Sequence, residues 1–198
     1  MKALVTAFDA FGGEALNASL EAVRRLPSRT GSLEISTAVL PTSFARSLPA
    51  LEEAIARAAP DVVLAVGQAG ERPALCMERV AVNLQDAEIA DNDGARPVDS
   101  PIVPDGPAAY LATLPVRAAV AGLHAGELPA QLSMSAGTFV CNHVFYGLMH
   151  IAATGRRGFR AGFLHVPRLP QQGRAGTPSM TPDSVARGIV IVLEAAST

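Results

Sequence analysis

Cysteine is scarce in this sequence, with only Cys76 and Cys141 among 198 residues. Two thiols cannot build a disulfide framework, so each should serve either chemistry or packing, and a reducing cytoplasm is the expected setting. Excess charge of one sign is also missing. A formal net charge of −2 gives no strong pull toward nucleic acid or an anionic membrane, and neither is expected as a partner. No apolar run approaches the roughly 20 residues needed to span a bilayer. The opening run, residues 3–8, meets Asp9 too early for a signal peptide and reads as a first strand. The two cysteines lack metal-ligand spacing, which argues against a zinc site. Asp91-Asn92-Asp93-Gly94 begins like a calcium loop, but Ile102 stands where the bidentate glutamate belongs, so the stretch reads as a turn. With neither G-x-G-x-x-G nor a Walker pattern, the Gly12-Gly13 pair has no support as a phosphate cradle.

What is present is an alternation of apolar, β-branched runs with helical spacing. Residues 33–40, 61–67, 131–135 and 159–166 read as further strands. Leu16, Leu20, Val23 and Leu26 recur at helical spacing. So do Phe44, Leu48, Leu51 and Ile55, with Ser43 as candidate N-cap. Residues 115–123 and 141–153 read as helices, and a last helix opens at Thr181-Pro182, with Val185, Ile189, Val192 and Leu193 on its apolar face. Strands alternating with helices argue an α/β fold with a largely parallel sheet covered on both faces, and the length fits one domain over residues 1–198. Residues 86–115 carry Pro97, Pro101, Pro104, Pro107 and Pro115 without a clear period. A long irregular stretch is often functional, as a wall of a site or an oligomer contact.

Cys141 follows Gly137-Thr138-Phe139-Val140 and precedes a helical pattern, at or near a helix N-terminus. Free N–H groups there favour the thiolate and offer an oxyanion site. A buried cysteine acting as a small hydrophobe is the plainer reading. A thiol nucleophile needs a base, and the histidines are His124, His143, His150 and His165. His143 is two residues from Cys141, a spacing that points helical side chains apart. His165 closes the run Phe163-Leu164-His165-Val166, at the C-terminal strand edge where open α/β sheets place their sites, or it is a satisfied core histidine. Glu78 enters a strand-like run and either orients a histidine or pairs with Arg72 or Arg79. Phe8 and Phe11 bracket a turn as an apolar lid would.

The segments Leu4-Val5-Thr6-Ala7-Phe8 through Phe11-Gly12-Gly13, Asn17 and Ser19, Val66-Gly67-Gln68-Ala69-Gly70 and Glu78-Arg79-Val80-Ala81-Val82-Asn83 run in order. Asp105-Gly106-Pro107-Ala108-Ala109-Tyr110, Ala136-Gly137-Thr138-Phe139-Val140-Cys141-Asn142-His143 and His165-Val166-Pro167 follow. Together they resemble the pyrrolidone-carboxylate peptidase (pyroglutamyl peptidase I) family over nearly the whole chain. The resemblance implies a cytoplasmic cysteine peptidase that cleaves after an N-terminal pyroglutamyl residue of peptides. It implies no metal or organic cofactor, and a homotetrameric assembly. It implies a three-layer αβα sandwich with a mixed, largely parallel sheet, phosphorylase/hydrolase-like. It places a catalytic Glu, Cys, His set on Glu78, Cys141 and His165, and substrate contacts on Phe8, Phe11, Asn17 and Gln68. The backbone N–H of Cys141, helped by residues 67–70 or Arg79, is the expected oxyanion site. Asp9-Ala10, Glu71, Ala18 and Arg168 depart from the family pattern, and none falls on the three catalytic positions. A transferase on the same scaffold would need a phosphate-binding set that is not found, and a non-catalytic homologue would be expected to lose one of the three.

Overall fold

The computed structural model describes residues 1–155, 158–173 and 177–197. The apolar runs become strands β1 (Lys2–Phe8), β2 (Arg29–Thr30), β3 (Leu33–Leu40), β4 (Val62–Gln68), β5 (Leu75–Glu78), β6 (Val80–Val82), β7 (Ala109–Leu111), β8 (Ala130–Ser133) and β9 (Arg160–Val166). Helices α1 (Ala18–Val23), α2 (Ser47–Ala58), α3 (Val116–Ala125), α4 (Val140–Thr154) and α5 (Pro182–Ala195) separate them. Seven strands form one sheet in the order β2-β3-β1-β4-β9-β5-β8, and β6 and β7 form a separate ribbon. Strands β3, β1, β4 and β9 are parallel, whereas β5 runs antiparallel to β9 and parallel to β8.

Both faces of the sheet are covered. One carries Val5, Val62, Leu64, Leu75, Met77 and Leu164 against α1, α3 and α5, whose Val185, Ile189, Val192 and Leu193 are fully buried. The other carries Leu4, Val63, Ala65, Ala161 and Phe163 against α2 and α4. Two-sided burial explains why β4 reads as a continuous apolar run rather than an alternating one. Each fully buried Val or Leu contributes about 1.5–3 kcal/mol, so the central strands carry most of the driving force. This is the mixed, largely parallel three-layer sandwich expected. Among the described residues, no helix is long and apolar enough to cross a membrane.

Three local expectations are corrected. The first helix is only Ala18–Val23, because Asn17 caps it on Ser19 N–H and starts it two residues after Leu16. Ser43 is not the cap of α2: its Oγ accepts from Arg46 N–H in a turn that leads into the helix at Ser47. Residues 86–115 are not uniformly irregular, since they contribute β7 and a bridge between Gln85 and Ser100. The segment lacks a period because polar side chains, not an apolar face, fasten it. Asn83 Oδ1 accepts from the N–H groups of Ile102 and Val103, while its Nδ2 donates to Val103 O at 2.7 Å. The Asp91 carboxylate accepts from the N–H groups of Asp93, Ala95 and Phe44, making the expected turn.

Replacing Asn83 by alanine removes these bonds at once and leaves backbone groups unpaired. It should destabilise the protein by about 1–3 kcal/mol in urea denaturation. Wild-type stability would show that the segment is held elsewhere.

Candidate active site

The ends of β1, β4 and β9 converge at one sheet edge, with the N-terminus of α4 above it. His165 is the penultimate residue of β9 and is 4% exposed. In the ladders it pairs with Gly67 of β4 on one side and Cys76 of β5 on the other. Glu78 pairs with Phe163, two residues from His165, so it is the diagonal cross-strand neighbour of His165 on the same face. From there the His165 Nδ1–H donates to Glu78 Oε1 at 2.8 Å. That bond leaves Nε2 as the unprotonated ring nitrogen of the neutral imidazole. Glu78 is wholly buried. The Phe163 ring, 4.8 Å from the imidazole between centroids, limits its rotation.

Cys141 occupies the second position of α4, where backbone N–H groups have no acceptor inside the helix, and the N-cap Phe139 supplies no side-chain bond. Its Sγ sits over Gly67. A Cβ built on Gly67 would lie 2.8 Å from that sulfur and 2.9 Å from Phe163 Cζ. Gly67 is also the ladder partner of His165, so the missing side chain lets the thiol sit over the strand position next to that histidine. Asn142, the next residue, clips α4 to β6 by accepting from Val82 N–H and donating to Val82 O and Leu84 O.

Beside the thiol lies a small cleft lined by Phe8, Phe11, Asn17, Thr42, Gln68, Phe139 and Cys141. Its cavity volume is only about 10 Å³, far below the roughly 300–1,000 Å³ of ordinary ligand pockets, so a small ring enters only if the lining side chains move. Phe11 packs on Phe139, and Phe44 meets Phe139 edge to face. Asn17 and Gln68 line the cleft with side chains already engaged. Asn17 Nδ2 donates to Asp9 O, and Gln68 Oε1 accepts from Ala18 N–H at 2.6 Å. The β1–β4 ladder ends at Thr6–Ala65, so β4 runs on from Val66 to Gln68 without β1 beside it.

The family model for pyroglutamyl peptidase matches residues 1–198. The chain belongs to the pyroglutamyl peptidase family. The pyrrolidone-carboxylate peptidase 1 of Ralstonia nicotianae is 50% identical over 194 residues, covering 96% of this chain and 90% of that one. The Treponema denticola pyrrolidone-carboxylate peptidase is 45% identical over 201 residues, with 98% and 93% covered. Among solved structures, pyroglutamyl peptidase I of Bacillus amyloliquefaciens superimposes with a TM-score of 0.97 at 42% identity, covering 100% and 95% of the two chains. A variant pyrrolidone carboxyl peptidase of Pyrococcus furiosus does so at 0.95 and 36%, covering 100% and 98%.

Against this family background, the structure brings Glu78 and His165 together in a hydrogen bond, gathers Phe8, Phe11, Asn17, Gln68 and Cys141 around one cleft, and sets the other histidines apart. His143 Nδ1–H donates to Gln85 Oε1, and its ring packs edge to face on Phe44. His150 meets Tyr110 Oη, and His124 meets Ala130 O. Thr42 and Phe139 were not singled out from the sequence, in which Gly67 reads only as part of a loop exposing backbone groups beside the sheet edge. Phe139 lay within the quoted motif, and its place immediately before the helix start was the available signal. Cys76 is buried as expected of a packing residue, but it faces His165 directly across the ladder, which its sequence context did not reveal.

One expectation is overturned. Burial and the Glu78 carboxylate push the Cys141 thiol up to about 12, against the lowering expected from the helix terminus alone. Desolvation outweighs the partial charge of the helix end, and the free protein holds a thiol rather than a thiolate.

Gly67→Ala should lower kcat/KM at least 100-fold by displacing the thiol, at a stability cost of about 1–3 kcal/mol. Near-normal turnover on a pyroglutamyl amide would mean that the thiol does not work from that position. His143 supplies a pH test. Burial lowers its pKa to about 4, whereas the unfolded chain has an ordinary histidine near 6.5. The unfolded state therefore binds the extra proton between these values, so stability rises with pH across the interval and is lost as pH falls through it. His143→Leu should flatten the acid side of the stability curve by up to about 3 kcal/mol in urea titrations from pH 4 to 7. Parallel curves for both proteins would exclude the effect.

Proposed function

We propose that this chain hydrolyses the bond after an N-terminal pyroglutamyl residue of peptides by acyl transfer through Cys141, with His165 as base and acid and Glu78 as its orienter. The observation that carries the reading is the buried Glu78–His165 hydrogen bond, with the Cys141 thiol seated over Gly67, the ladder partner of that histidine.

Because the thiol is held neutral, its proton moves to His165 Nε2 as sulfur attacks the pyroglutamyl carbonyl, rather than beforehand. The developing imidazolium is stabilised by Glu78 through Nδ1. The oxyanion meets the free N–H of Cys141 at the start of α4. His165 then gives the proton to the departing amine and the C–N bond breaks, leaving a thioester. Water attacks that thioester, His165 takes its proton, and pyroglutamate and the thiol are released.

The ring of pyroglutamate is a neutral lactam with one N–H and one C=O. Phe8, Phe11 and Phe139 cover its apolar atoms. Backbone groups of β4 near Gln68, past the end of the β1 ladder, meet the lactam, because the Gln68 side chain is already committed to Ala18. An ordinary N-terminus would bring an unpaired ammonium into this cleft, at a heavy desolvation cost. Proline adds the loss of the lactam carbonyl, and sites built to pair a polar group reject analogues lacking it by roughly 10⁴–10⁵-fold.

The finer setting follows from the same reading: residues 1–198 act as one catalytic unit in the cytoplasm, assembled as a homotetramer, without nucleic acid or membrane partners. Two free cysteines support a reducing compartment. Exposed Ile89, Val98 and Leu111 on the proline-rich side offer apolar surface for contacts between copies.

Pyroglutamyl fluorogenic amides should be cleaved, with prolyl and glutamyl amides nearly inert. Comparable rates on all three would refute the cleft. Cys141→Ala and His165→Ala should abolish turnover, and Glu78→Gln should cost about 10²–10⁴-fold. Cys76→Ser and His143→Ala should retain most of it. A dead His143 variant beside an active His165 variant would name the wrong base. Sedimentation of an active monomer would remove the assembly.

A further inference from the structure

The oxygen of Glu78 that accepts from His165 has a second neighbour. Arg72, in the loop after β4, places one guanidinium nitrogen 3.5 Å from the same Oε1. The guanidinium is fixed from two further directions. It donates to Ser133 Oγ at 3.1 Å and to Ser135 O at 2.8 Å. Ser133 is the ladder partner of Glu78 on β8, and Ser135 lies in the loop that leads to Cys141. One side chain thus ties the loop after β4, the end of β8 and the approach to the nucleophile to the carboxylate that holds the base.

Glu78 is fully buried, and a buried carboxylate stays ionised only beside a compensating charge. His165 does not supply that charge at rest, because it must be neutral to accept the thiol proton. Among the described residues, Arg72 is the permanently charged group within ion-pair distance of Glu78. We propose that Arg72 is a positioning residue for the reaction: it keeps Glu78 ionised and aimed at His165, and its charge keeps the Glu78–His165 pair from taking up a proton too early. The proposal rests on the reading of Glu78 as orienter and His165 as base.

The sign of the effect can be worked out. The groups facing Glu78 are His165 from β9, Arg72 from the loop after β4, the Cys141 thiol from α4 and Cys76 two residues back on its own strand. At neutral pH both thiols are uncharged, since burial raises both. The charge balance is therefore among Glu78, His165 and Arg72. Removing the guanidinium charge lets the Glu78–His165 pair bind its first proton more tightly, whether that proton rests on the carboxylate or on the imidazole. A proton on the imidazole occupies Nε2, and a proton on the carboxylate removes the charge that supports the imidazolium, so in both cases activity falls at a higher pH than before.

The test is the pH profile of kcat/KM on a pyroglutamyl amide for wild type, Arg72→Lys, Arg72→Met, Glu78→Gln and the Arg72→Met/Glu78→Gln double variant, with thermal unfolding as a control for folding. Arg72→Met should lower kcat by about 10–100-fold with little change in KM, and should move the acid limb up by about one pH unit. Arg72→Lys should restore the limb while recovering only part of kcat, because an ammonium lacks the fork that meets Ser133 and Ser135 together. In the Glu78→Gln background, Arg72→Met should move the limb by clearly less, because only its direct effect on the imidazole remains. A wild-type acid limb in Arg72→Met would overturn the proposal. So would an undiminished shift in the double variant, which would mean that the arginine acts without Glu78. Wild-type activity in Glu78→Gln would instead overturn the reading of Glu78 as orienter, a separate outcome.

Discussion

A carboxylate with no access to water sits at the centre of this molecule's chemistry, and the antiparallel contact between β5 and β9 is what puts it there. Along β5, Leu75 and Met77 face the core under α3 and α5, while Cys76 and Glu78 face α4. A slip of one residue would send Glu78 into the apolar layer and two hydrophobic side chains toward the thiol, so the alternation that buries Leu75 and Met77 also fixes the register of the acid. The parallel strands cannot provide this contact. The reversed strand β5, set between β9 and the equally reversed β8, lets a residue from the opposite chain direction reach the histidine diagonally.

The height of the nucleophile above the sheet is set by small residues and by one amide. Gly67 leaves room below the sulfur, Gly147 lets α4 settle against Leu48, and Asn142 ties the first turn to the β6 ribbon. Packing this close strips part of the water from the half-buried thiol, which raises its pKa and makes a base that is already oriented necessary. A solvated thiol at a helix end would ionise more readily, but its oxyanion would form in water, where hydrogen-bond donors act weakly.

The central strands and the long helices were legible in the sequence because two-sided burial writes continuous apolar runs and helix faces write a 3.6-residue period. Thr181-Pro182 announced α5 correctly, since cap chemistry is local. What escaped was set by distant partners. The start of α1 depends on Gln68, fifty positions along the chain, and that of α2 on a turn whose Ser43 and Arg46 side chains both bond Asp93. The direction of β5 is carried by no local signal. For the site, motif resemblance pointed to Glu78, Cys141 and His165, and the structure adds what a pattern cannot: that Glu78 and His165 share a proton-bearing contact, that Gly67 makes room for the sulfur, and that desolvation raises the thiol's pKa.

Gln68 belongs to two structures at once. Its side chain closes the N-terminus of α1, and its main chain borders the cleft beside Cys141. A helix of six residues, Ala18–Val23, has little stability of its own and depends on such anchors. A ligand that fixes the Gln68 backbone therefore also firms the anchor of α1, and by reciprocity an ordered α1 tightens the hold on the ligand by the same free energy. Substitutions on the far side of α1, remote from the thiol and touching no substrate atom, then become a means of adjusting affinity without altering the chemistry.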